Sequence, residues 1–207
     1  MIIAIDGPAA SGKGTVARQL AAHFALPYLD TGLLYRAVAL RLLEEGAPLD
    51  DPEAGRTAAE AVTPDTLDNP RLRDRRVGEA ASVVAAVHEV REALLAYQKA
   101  FAHAPGGAVL DGRDIGTVIA PDADAKLFVT ASPEVRAHRR YLELQSRGEQ
   151  VSQDEVLADI RIRDARDSSR ADAPLKIAEG ARLLDTSTLS IEAAFRAALG
   201  IVEEFRR

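Results

Sequence analysis

The sequence predicts a three-layer α/β fold, a parallel sheet covered on both faces by helices. Two observations carry this. Four apolar runs of four to six residues alternate with longer amphipathic stretches, the pattern of strands buried on both faces. A glycine-rich turn also follows the first run directly and opens the first amphipathic stretch, a strand–turn–helix unit of such folds. At 207 residues, one such domain buries about 70% of the surface its unfolded chain exposes.

The elements follow in order. Residues 2–6, IIAID, are β-branched, apolar and stopped by Gly7-Pro8, which reads as a buried strand. Residues 13–25 place Val16, Leu20 and Phe24 on one helix face. Residues 31–45 form a second amphipathic helix, with Thr31 as expected N-cap and Gly46 as expected stop. Residues 47–75 hold four of the ten prolines and little periodicity; they read as a mobile, partly helical insertion. Residues 76–104 are rich in Ala and Val and read as helical up to Pro105-Gly106-Gly107.

Residues 108–111, AVLD, and 125–130, AKLFVT, read as further strands. Ser132-Pro133-Glu134 opens a helix with proline at its first position, running to Gly148. Ser152 and Glu155 have capping-box spacing for the next helix, which extends towards Arg170. Residues 182–185, RLLD, are a last short strand and residues 189–206 a closing amphipathic helix.

Composition narrows the function. The net charge is -6 and only 4% of residues are aromatic, which argues against nucleic-acid binding. There is no Cys, so thiolate metal sites and thiol nucleophiles are excluded. None of the four His has metal-ligand spacing. No stretch approaches the ~18 apolar residues of a membrane span, and the first residues lack the basic flank of a signal peptide. The expectation is a soluble cytoplasmic protein without membrane contact.

The strongest motif is Gly7-Pro8-Ala9-Ala10-Ser11-Gly12-Lys13-Gly14-Thr15. Glycines let the backbone curl with its N–H groups inward, and these donors, with the helix end, cradle phosphate oxygens. Lys13 adds a mobile charge for a transferring phosphoryl group. An accidental glycine-rich turn is the bland alternative. The hydroxyl residue follows Gly14 rather than Lys13, a form that resembles nucleoside-monophosphate kinases. The only Asn is Asn69, before Pro70, so no guanine-reading Asn-Lys-x-Asp motif exists.

After the second predicted strand comes Asp111-Gly-Arg113-Asp114-Ile-Gly-Thr117. An acidic residue at a strand end beside a phosphate loop is where a Mg²⁺ ligand acting through water belongs. A helix cap and a surface ion pair would explain the segment equally. Arg163, Arg166, Asp167 and Arg170 fall on one helix face. They could close over phosphates, or form a solvated face of pairs such as Asp159–Arg163 and Arg163–Asp167. With 22 Arg against 4 Lys, an arginine cluster alone decides little.

Taken together, Asp30-Thr31-Gly32-x-x-Tyr35-Arg36, Ser82 to Arg91-Glu-Ala-Leu-Leu, Asp111-Gly-Arg-Asp-x-Gly-Thr-Val and Arg163-Asp-x-Arg166-Asp167-x-x-Arg170 resemble the bacterial cytidylate kinase family over nearly the whole chain. The resemblance implies phosphoryl transfer from ATP-Mg²⁺ to CMP or dCMP on a P-loop NTPase fold. It implies a single domain with a nucleotide-binding insertion at about 36–104 and a lid at about 148–170, working as a monomer. It implies Thr31, Arg36 and Arg113 at the acceptor nucleotide and its phosphate, and Ser82, Arg91 and Asp114 as the cytosine-reading set. Arg163, Asp167 and Arg170 resemble the ribose and phosphate contacts of the lid. Lys13, Arg113, Arg163 and Arg170 are then the catalytic charges. Residues 47–75 depart from many members, being short and without alternating strand patterns. The rivals are a phosphate-loop kinase for another acceptor, such as AMP, UMP or shikimate, and a nucleotide-sensing protein without turnover.

Overall fold

The computed structural model describes residues 1–205; the expected end of the last helix at residue 206 lies outside the described residues. Five parallel strands form one sheet: β1 (Ile2–Asp6), β2 (Tyr28–Asp30), β3 (Ala108–Gly112), β4 (Ala125–Thr130) and β5 (Arg182–Asp185). Their order is β2-β3-β1-β4-β5. Side chains alternate across the pleat. Ile3 and Ile5 pack with Val16 and Leu20 of α1 (Lys13–Phe24) and with Ala194, Ala198 and Val202 of α8 (Ile191–Phe205). Ala4 and Leu110 face the other way, into α2 (Thr31–Glu45) and the turn Ile115–Ile119. These are the three predicted layers.

Strand β2 has no counterpart in the sequence reading. Its three residues sit at the sheet edge, paired only with β3, too few to show an alternation. It aligns Asp30 beside Asp111. Helix α2 is capped by Asp30, whose carboxylate accepts from the Gly32 N–H, not by Thr31. The Thr31 hydroxyl instead donates to the Asp111 carbonyl at 2.9 Å. Gly46 ends α2 in the left-handed region, φ 67°, where glycine carries no Cβ penalty.

Residues 47–75 are partly helical, as expected, and pack against the core. They form α3 (Pro52–Glu60) and two 3₁₀ turns, Pro64–Asp68 and Pro70–Arg73. Ala58 and Ala59 join the main core and Leu72 is fully buried. Small residues made this apolar face hard to see. The helical stretch at 76–104 is two helices, α4 (Arg75–Val84) and α5 (His88–Ala102), separated at Ala85–Val87. No Gly or Pro marks the break.

Helices α6 (Pro133–Ser146) and α7 (Gln153–Ser169) pack as a pair with its own small core of Ala137, Leu144 and Val156. Ser132 caps α6 and the Ser152–Glu155 box caps α7, both as expected. No described helix is long and apolar enough to cross a membrane.

Candidate active site

The loop after β1 and the C-terminal ends of β2 and β3 open into a cleft of ≈860 Å³, lined by Lys13, Asp30 and Gly112 among others. Residues 7–12 carry β1 into α1 along its floor. Gly7 has φ 155°, and a Cβ there would stand 2.0 Å from the Val129 carbonyl oxygen. Only glycine lets the loop pass β4 this closely. Ala10 and Gly12 adopt left-handed conformations, φ 58° and 88°. Among the described residues, the N–H groups of Gly12, Lys13 and Gly14 meet no protein acceptor. They are free donors at the positive end of a helix.

Lys13 stands 3.7 Å from Asp111. Burial, then the charge of Arg113, pushes its ammonium down to about 8. Asp111 receives the Tyr28 hydroxyl at 2.6 Å. Burial, then Asp30 beside it, pushes its carboxyl up to about 6. Two carboxylates next to each other at the sheet edge leave an excess of negative charge that a cation would relieve. The described residues contain no cluster of three or more metal-ligating side chains. The arrangement fits Mg²⁺ arriving on substrate phosphates, because that ion keeps most of its waters and takes only one or two carboxylates.

The far side of the cleft is built from arginines and acids. Arg113 donates to Asp167 at 2.8 Å, and Arg163 lies 3.9 Å from the same carboxylate. Burial alone would raise the Asp167 carboxyl, but Arg113 and Arg163 more than offset this and hold it below its ordinary range. Burial, then Arg113, pushes the Arg163 guanidinium down to about 9. An anionic oxygen between these arginines would relieve the strain of like charges. Asp159 does not pair with Arg163; it pairs with Arg75 across the cleft. Arg170 follows the last turn of α7 rather than lying within it. It donates to the Ala173 carbonyl and approaches Asp114 at 3.8 Å.

Arg91 and Asp114 are buried and hydrogen-bonded to each other. The Tyr35 ring lies under the Arg91 guanidinium, 5.7 Å from its centroid. The Ser82 hydroxyl lines the cleft, buried and without a hydrogen-bond partner. Arg36 donates to the Leu72 carbonyl at 2.7 Å and lies against Gly78. Thr31, Arg36, Ser82, Arg113, Asp114, Arg163, Asp167 and Arg170 therefore line the same cleft as Lys13, with Arg91 bonded to Asp114 and Asp111 3.7 Å from Lys13 behind it. Tyr35, Tyr28, Arg75 and the residues backing the phosphate loop were not anticipated. Tyr35 sits inside a quoted motif; the arginines are hidden by the arginine-rich background.

The loop carrying Arg113 and Asp114 is pinned by Asp6, which accepts from the Ile115 and Gly116 N–H groups at 2.8 Å each. Burial pushes the Asp6 carboxyl up from 3.8 to about 7. The folded protein then binds more protons than the unfolded chain between those values, so stability falls as pH rises from about 4 to about 7. Asp6→Asn is expected to reduce that slope in urea unfolding followed across this range, leaving the part due to Asp111. An unchanged slope would take Asp6 out of the account.

A parallel sheet, a strand–glycine loop–helix unit with Lys13 and an arginine-lined cleft define the class: a P-loop kinase. Solved structures agree on the fold. An uncharacterized protein from Eubacterium ventriosum superposes with TM-score 0.58 at 16% identity, covering 99% of this chain and 98% of that one. A gluconokinase from Sinorhizobium meliloti superposes with TM-score 0.52 at 17% identity, covering 98% and 91%.

Sequence comparison is more specific. The profile of the cytidylate kinase family matches residues 3–204. Cytidylate kinase of Methylocella silvestris is 65% identical over 203 residues, covering 98% of this chain and 94% of that one. That of Xanthobacter autotrophicus is 64% identical over 206 residues, covering 100% and 99%. The chain belongs to the cytidylate kinase family and is a nucleoside-monophosphate kinase.

Proposed function

We propose that this chain transfers the γ-phosphoryl group of ATP to CMP or dCMP, giving ADP and CDP or dCDP. The observation that carries the choice of base is the buried Arg91–Asp114 pair beside the unpartnered Ser82 hydroxyl. Cytosine offers acceptors at its ring nitrogen and keto oxygen and a donor at its amine. Arg91 donates to the former, Asp114 accepts from the latter, and Ser82 gains a partner. Uracil reverses two of these positions and leaves buried groups unpaired, which is costly.

The donor phosphates lie along residues 7–15, held by the free N–H groups of Gly12, Lys13 and Gly14. Mg²⁺ held by those phosphates, with Asp111 as its protein ligand through water, would supply charge neutralisation on the donor. The acceptor phosphate rests against Arg36 and Arg113, with Thr31 close by; the Thr31 hydroxyl oxygen keeps lone pairs free to accept. One of the acceptor's phosphate oxygens attacks the γ-phosphorus in line as the bond to the ADP oxygen breaks. The attacking phosphate is already anionic at neutral pH, so no base is needed. Lys13, Arg113, Arg163 and Arg170 spread the charge of the transition state, and Asp167 holds Arg113 and Arg163 in place. The lid assigned to residues 148–170 lies on the second part of the α6–α7 pair, and the acceptor arm assigned to 36–104 spans α2 to α5. Their closure excludes water and suppresses hydrolysis of ATP. The resemblance to the family supports a monomer working in the cytoplasm.

ADP release from ATP-Mg²⁺, measured with CMP, dCMP, UMP and AMP in parallel and without acceptor, tests this. Turnover led by CMP and dCMP is expected. Turnover led by another acceptor keeps the kinase and removes the cytosine roles. Turnover with none of the four removes the acceptor assignment altogether.

A further inference from the structure

Arg136 stands outside the cleft, yet it touches the phosphate loop and the lid helix at once. Its side chain is almost fully buried. Nε donates to the Ala131 carbonyl at 2.8 Å, where β4 leads into α6. Nη1 donates to the Ala9 carbonyl at 3.3 Å, in the phosphate loop. Nη1 and Nη2 then grip both oxygens of Asp164, at 2.9 and 2.6 Å. Asp164 lies on α7, next to Arg163 and one turn before Asp167. The Ala9 carbonyl adjoins Ala10, whose left-handed conformation sets the curl of the loop.

We propose that Arg136 and Asp164 are a positioning pair that fixes the lid helix in register with the phosphate loop, so that Arg163, beside Asp167 on that helix, meets the donor phosphates held there. Neither side chain lines the cleft, so neither is a catalytic residue. The planar fork of arginine matters because two parallel hydrogen bonds fix direction as well as distance. Lysine keeps the charge but gives a single, swivelling contact. A lid that packs without this register would still close, but its arginines would be displaced from the transferring group, and displacements of about 1 Å cost about 10²-fold in rate.

The inference uses the proposed CMP transfer as one readout, so a second readout independent of the acceptor is needed. Asp164→Asn is the main variant, because Asp164 is partly exposed and the amide keeps its shape. It is expected to lower kcat by about 10-fold or more, with KM for ATP and CMP changed less than about 3-fold. Asp164→Glu is expected to recover part of the loss, and Arg136→Lys to behave like Asp164→Asn. The double variant Arg136→Lys with Asp164→Asn is expected to lose no more than the worse single, since the two act as one unit. Hydrogen exchange without nucleotide is expected to speed up in residues 7–15 and 153–169 together in Asp164→Asn. Faster exchange in 153–169 alone, losses that multiply in the double variant, or a rise in KM without loss of kcat would each overturn the pairing. Should the unchanged protein not use CMP, the acceptor assignment fails, while the exchange result still decides the pair.

Discussion

Lys13→Ala is expected to lower kcat by about 10³-fold, the scale of removing one preorganised charge from a transition state. The reason lies in how Lys13 is held. It is partly buried, 3.7 Å from Asp111, and desolvation together with Arg113 pushes it down to about 8. The protein alone therefore favours the charged ammonium less than water does, and a phosphate beside it favours the charge again. Its interaction grows as negative charge builds on the transferring group, which raises kcat rather than merely tightening ATP binding. Calorimetry is expected to show a smaller loss of ATP affinity than the loss in kcat, because the N–H groups of the loop remain. The fold is expected to persist, since the apolar contacts of α1 rest on Val16, Ala17 and Leu20. A kcat within about 10-fold of the unchanged protein would remove Lys13 from the chemical step.

The phosphate loop was legible because its physics is local. Gly7, Gly12, Lys13 and the flanking strand and helix lie within a few residues of one another, and backbone conformation alone makes the site. The three layers were legible for a similar reason, as β1, β4 and β5 are set by contiguous apolar runs. What escaped was set by distant partners. Strand β2 exists because β3 offers it an edge, and its three residues carry no pattern of their own. The segment 47–75 packs through Ala58, Ala59 and Leu72, whose neighbours lie on α2 and α5. Alanines at helical spacing look like background until a partner face is known.

Within the site, motif spacing grouped Arg163, Asp167 and Arg170 and named the Arg163–Asp167 pair, which the structure holds at 3.9 Å, but pairing across elements could not be read from it. Spacing favoured Asp159–Arg163 because i,i+4 residues are neighbours on a helix. The structure gives Asp159 to Arg75 and Asp167 to Arg113, across elements far apart in sequence. Arg136 was invisible for the same reason, being one of 22 arginines whose role depends on which carboxylate the fold brings to it.

Asp114→Asn is expected to invert acceptor preference at the base. The carboxylate accepts only, which suits the cytosine amine; an amide can also donate, which suits the uracil keto oxygen. The value of kcat/KM for CMP is expected to fall by about 10²-fold or more, while that for UMP holds or rises. Arg91→Ala should behave differently, because it strands a buried carboxylate. Asp114 would be left with Arg170 at 3.8 Å and Tyr35 without the guanidinium above its ring. Breaking a buried pair in this way costs about 3–5 kcal/mol of stability. CMP use should therefore collapse with a lowered melting temperature, whereas ATP binding at the phosphate loop, on the other side of the cleft, should weaken far less. The two variants separate recognition from support. If Asp114→Asn lowers CMP and UMP use by the same factor, the carboxylate holds Arg91 and Arg170 in place without reading the base. If Arg91→Ala weakens ATP binding as much as CMP use, Arg91 belongs to the frame of the cleft, and selection of cytosine must rest on Ser82 and Asp114 alone.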